Sequence, residues 1–79
     1  MQEYIDKYYN DYLIVCGNEV ETKKIICKQY LRETDYVVIK MYETVAQGGS
    51  IIEMLKEYKE VLSKRKEARA RINELEQSE

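Results

Sequence analysis

Few side chains in this sequence are equipped for chemistry, and their spacing narrows the choice further. Histidine is absent among the 79 residues, which removes the commonest general base, proton shuttle and zinc ligand together. Cys16 and Cys27 are the two cysteines, too few for the usual four-ligand zinc sites. Both lie in apolar runs, Leu13-Ile14-Val15-Cys16 and Ile25-Ile26-Cys27, where a thiol serves as a small apolar filler, so two free thiols are expected rather than a bridge. The acids are spread along polar faces and lack the spacing of a calcium loop. Asp35 has the most apolar setting, yet its place after Thr34 suits the first turn of a helix better than acid–base work. Gly48-Gly49-Ser50 presents backbone N–H groups of the kind that hold phosphate, but no lysine follows in the Walker spacing and no parallel-strand pattern precedes it. The expectation is therefore no catalytic residue, no metal, no cofactor and no enzymatic activity.

Other side chains point to binding. Eight tyrosines are the only aromatic residues, and tyrosine joins a large apolar face to a hydroxyl that tolerates water. Tyr4, Tyr8, Tyr9 and Tyr12 are the candidates for a partner-binding face, with Tyr9 and Tyr12 the most exposed; the alternative is that tyrosines replace Phe and Trp in a thin core. The cluster Lys64-Arg65-Lys66 with Arg69 and Arg71 has the charge to meet phosphates. Interleaved glutamates and one aromatic in that helix, Tyr58, argue for a solvated face instead, so nucleic acid is not expected as a partner. With 13 basic and 15 acidic side chains, the whole surface is not built for a polyanion. Residues 1–22 are nevertheless acidic and 56–71 basic, an asymmetry that favours packing between the two, within a chain or between chains. Apolar runs fall short of the roughly 18 residues that span a bilayer, so no membrane segment is expected.

The elements that position these groups follow from periodicity. Tyr4, Tyr8 and Tyr12 with Ile5, Tyr9 and Leu13 predict a helix from about Gln2 to Val15. A strand over Tyr12–Cys16 turning at Gly17-Asn18 is the alternative, giving a short N-terminal β-hairpin. Asn18 and Glu21 have the spacing of a capping box for a helix over Glu19–Arg32. Thr34 and Asp35 start a third, densely apolar helix carrying Tyr36, Val37, Ile39, Met41, Tyr42 and Val45; its β-branched run is better tolerated if the helix is buried. Gly48-Gly49 ends it. Ser50 and Glu53 form the clearest capping box, opening a long amphipathic helix over 51–76, braced by Glu60 with Lys64 and Glu67 with Arg71. Along it Ile51, Met54, Tyr58, Val61, Arg65, Ala68, Ile72 and Leu75 draw a narrow heptad stripe, the mark of a seam with a partner helix and hence of a homo-oligomer interface. Arg65 costs stability there but can fix register. The fold class is all-α, a single small domain over 1–79 built as a helical hairpin or small bundle.

Three stretches also carry a family resemblance: Tyr30-Leu31-Arg32-Glu33-Thr34-Asp35-Tyr36-Val37-Val38-Ile39-Lys40, Tyr58-Lys59-Glu60-Val61-Leu62-Ser63-Lys64-Arg65 and Arg69-Ala70-Arg71-Ile72-Asn73-Glu74-Leu75-Glu76. Together, over residues 30–76, they resemble the C-terminal segment of small tail-associated and tail-fibre-assembly-like proteins of bacteriophages and prophages. The resemblance implies a helical hairpin with a structural or assembly role, the Thr34-Asp35-Tyr36 helix start and the Arg65–Arg69 face acting as scaffold. A non-enzymatic tail-associated accessory working by protein–protein interaction, in the virion or the bacterial host cytoplasm, is the leading expectation. A phage-encoded inhibitor of a host defence system, such as an anti-CRISPR protein, is the alternative, favoured by small size and the acidic residues 1–22.

Overall fold

A computed structural model describes residues 1–77 and is all-helical over them. Its elements are α1 (Gln2–Cys16), α2 (Glu19–Glu33), α3 (Asp35–Ala46), α4 (Ile51–Glu57) and α5 (Lys59–Gln77). The hairpin alternative does not occur: Tyr12–Cys16 completes α1, and Gly17 ends it at φ 67° with its N–H on the Leu13 carbonyl, 2.7 Å away. That left-handed conformation carries a steric penalty for residues with a Cβ, so glycine stops the helix here instead of turning a hairpin. Asn18 then caps α2 as its spacing requires, its side chain accepting from the Glu21 N–H at 3.1 Å.

The two other predicted caps are not made. Neither Thr34 nor Ser50 forms a side-chain bond to its helix start. The Thr34 hydroxyl turns back instead and donates to the Tyr30 carbonyl at 2.7 Å. Nor is 51–76 one continuous helix, because Tyr58 leaves helical geometry and divides α4 from α5. At Gly49 the chain passes close to α3: an added Cβ would stand 2.7 Å from the Thr44 methyl and 3.1 Å from its carbonyl oxygen. Glycine at this position lets the turn fold back against the end of α3.

Three helices build the core. The second helix is its centre, packed against both α1 and α5. Ile5, Ile26, Cys27, Tyr30 and Ala68 are buried together, and Tyr4, Tyr8, Tyr9, Tyr12, Leu31 and Ile72 pack around them. Ala68, with no exposure at all, contributes a methyl group where a larger side chain would hold α5 away from α2. The acidic start and basic late helix meet, though through other groups than expected. Gln2 accepts from Arg71 at 2.8 Å, and the Met1 nitrogen donates to Glu67 at 3.1 Å, so Glu67 reaches across to α1 where the sequence pairs it with Arg71. Glu60 and Lys64 do pair within α5, at 3.2 Å.

The third and fourth helices stand apart from this core. Val37 is the one fully buried side chain of α3, and α4 buries none among the described residues. The molecule measures 47 × 24 × 18 Å with a radius of gyration of 15.0 Å, against about 12 Å for a compact chain of this length.

Candidate protein-docking surface

The tyrosines of α1 turn toward the core. Tyr4, Tyr8, Tyr9 and Tyr12 are all half-buried and packed on the core, so each spends part of its apolar face within the chain, and Tyr9 and Tyr12 are not fully exposed as expected. Tyr4 meets Tyr8 and Tyr30 with ring centroids 5.0 Å away in each case, the second pair edge to face, and Tyr8 meets Tyr12 at 5.8 Å. Such tilted and edge-on arrangements suit the ring quadrupoles and add to apolar burial. The Tyr4 hydroxyl donates to Glu33 at 3.0 Å and accepts from Gln29 at 2.9 Å. Burial, reinforced by the Glu33 carboxylate and opposed by the Gln29 bond, pushes its pKa up to about 12. Burial likewise raises Tyr30 and the Cys27 thiol. Cys27 is a free buried cysteine and Cys16 a free, half-buried one.

The heptad stripe divides between two environments. Its lower half is covered by the chain itself: Arg65 and Ala68 are buried, and Ile72 packs half-buried against the core formed with α2. Arg65 shows why a charge belongs there. Its Nη1 donates to the Leu31 carbonyl and the Thr34 hydroxyl, both at 2.7 Å, and its Nη2 to the Asp35 carboxylate at 3.0 Å. The guanidinium therefore gives the Leu31 carbonyl at the end of α2 its shortest hydrogen bond, the Thr34 hydroxyl standing 3.4 Å away, and joins α5 to the α2–α3 corner, a task for which its planar fork is suited. The partners of Arg65 are all in its own chain, at the end of α2 and the start of α3. Farther up, Met54, Tyr58 and Val61 are half-buried and Ile51 is exposed; at the other end Leu75 is half-buried.

The larger group of exposed apolar side chains lies on α3 and α4, although the β-branched run of α3 would be better tolerated in a buried helix. Ile39, Tyr42 and Val45 on α3 are 57%, 76% and 52% exposed, and Ile51, Ile52 and Leu55 on α4 are 39%, 63% and 43% exposed. Val38, Met41, Tyr42, Val45, Ile51 and Leu62 line a groove of about 310 Å³ between these helices and the start of α5. A helix that is apolar on most sides is ordinarily enclosed. Here α1 and α5 already pack on α2, and α3 is left with one buried edge. Ile39, Tyr42, Val45, Ile52 and Leu55 lie outside the expected interface residues; the signal for the first three was the density of apolar residues over 36–45, which exceeds what one small core can enclose. A smaller patch, Ile14 and Val15, each 85% exposed, ends α1.

No helix among the described residues is long and apolar enough to cross a membrane. Comparison with protein-family models, with curated proteins and with solved structures finds no match to this chain.

Proposed function

We propose that this chain is a non-enzymatic protein-binding module that docks through the apolar face of α3 and α4 and serves as an accessory in assembling a bacteriophage or prophage tail. The observation that carries the docking reading is that face itself: six large apolar side chains left to solvent beside an apolar groove, whereas exposed patches of this kind mark interaction sites. The tail assignment is supported by the resemblance of residues 30–76, and the place of action that goes with it is the virion or the host cytoplasm. A second reading, an inhibitor of a host defence effector, is favoured by the acidic side chains Glu3, Asp6, Asp11, Glu19 and Glu21, all of them exposed.

Affinity purification of the tagged chain from cells producing phage tests both readings, with wild type beside Tyr42→Lys. Tail components recovered with wild type and lost with the variant are the expected result. Recovery of a defence effector transfers the assignment to the second reading. Equal recovery with wild type and variant overturns the docking surface.

A further inference from the structure

We propose that the occupant of the α3–α4 face is a second copy of this chain, so that the protein is a two-fold dimer joined through α3 and α4 rather than along the α5 stripe. The inference rests on the docking reading above and names what covers the face: the two copies cover it between them, and tail components bind the dimer so formed, which is how Tyr42→Lys loses them.

Area is the first argument. Exposures of 39% to 76% on Ile39, Tyr42, Val45, Ile51, Ile52 and Leu55 leave about 600 Å² of apolar side chain per copy, taking roughly 175 Å² for each. Two copies then bury about 1,200 Å², before any contribution from neighbouring polar side chains, which clears the roughly 1,000 Å² expected of a specific interface.

Shape is the second. An isologous contact requires knob and hole on the same surface, because each copy must supply both. Tyr42 stands 76% exposed at the rim of the groove that it helps to line. The groove's 310 Å³ leaves room for an aromatic side chain arriving from the facing copy.

Charge is the third. The two helices carry Lys40 and Lys56 together with Asp35, Glu43, Glu53 and Glu57; Asp35 is paired with Arg65, which leaves two lysines against three glutamates. A face of one sign would repel its own copy, whereas a mixed one can set lysine against glutamate across a two-fold axis.

Sedimentation velocity on the full chain, from low to high micromolar concentration, tests the proposal with Tyr42→Lys and Ile52→Glu alongside wild type. Both positions are more than half exposed, so the variants should retain the helical circular dichroism of wild type, which is measured in parallel. A wild-type dimer weakened by about tenfold or more in each variant, at unchanged helix content, is the expected result. Binding of an apolar dye separates the ways of failing. A wild-type monomer at every concentration that binds dye, with binding lost in Tyr42→Lys, overturns the second copy and leaves the docking face in place. A monomer that binds no dye overturns both. A dimer that withstands both substitutions and dissociates on Ile14→Lys overturns both as well, because the contact then lies at the end of α1.

Discussion

At the scale of single residues, two side chains join elements that are distant in sequence. Tyr4 links α1 to α2 through its bonds with Glu33 and Gln29. With its folded pKa raised from 10.0 to about 12, the unfolded phenol releases its proton first as pH rises. The contribution of Tyr4 to stability is thus complete below pH 10 and disappears between about pH 10 and 12. Tyr4→Phe should cost about 1 kcal/mol near neutral pH. The gap between the two proteins should narrow over that alkaline window, as followed by urea unfolding at a series of pH values; a gap constant to pH 12 would count against the assignment. Arg65 joins α5 to the α2–α3 corner. Arg65→Ala removes the donor 2.7 Å from the part-buried Leu31 carbonyl, leaving it the weaker Thr34 hydroxyl at 3.4 Å, and takes a partner from the Thr34 hydroxyl as well, an expected loss of about 2–3 kcal/mol. Asp35, by contrast, has 59% of its side chain exposed, so Asp35→Asn should cost less than about 1 kcal/mol. Equal losses in the two variants would mean that the ion pair, and not the carbonyl, carries the contact.

At the scale of elements, α2 holds the molecule together because it packs against both α1 and α5, and each neighbouring helix depends on how closely it approaches. Ala68 sets that approach for α5. Ala68→Leu adds three carbons where no exposed volume remains and should destabilise the protein by about 1–3 kcal/mol through overpacking. Ala70→Leu, on the exposed side of the same helix, should be close to neutral. Thermal melts of the two variants distinguish a packed α2–α5 contact from a loose one: if Ala68→Leu melts with wild type, the helices are not in contact at this point. The helix junctions follow the same logic. Single residues, Thr34 and Tyr58, separate α2 from α3 and α4 from α5. Only the first of these corners is held by Arg65.

At the scale of the whole molecule, the chain divides into a three-helix core and a helical arm. Helices with few buried apolar contacts open locally at lower free energy than those in the core. Hydrogen–deuterium exchange on dilute protein should therefore show faster exchange across 36–57 than across α2, whose Ile26 and Cys27 are fully enclosed. Protection over 36–57 equal to that of α2 in the dilute monomer would contradict this division. The arm also explains the elongated shape, since a chain of 79 residues has too little apolar volume to surround five helices with one core.

What the sequence by itself determined is the local grammar. An all-α class, the Asn18–Glu21 cap and the break at Gly48-Gly49 were legible, because helix ends are set by interactions within a turn or two of the backbone; Gly17 was legible as a break, but whether it ended a helix or turned a hairpin was not. The pairing of faces was not. A heptad stripe looks the same whether its partner is α2 of the same chain or a helix of another. Likewise a row of tyrosines at every fourth position has one pattern for a core and for a docking surface. The Thr34 hydroxyl has a local use as a cap and a tertiary one beside Arg65, and the guanidinium, thirty-one residues away, decided between them. Tertiary structure settled these choices: α1 and α5 pack on α2, and the densely apolar third helix, with Val37 alone fully buried, is left largely facing outward, because so short a chain encloses only a small core.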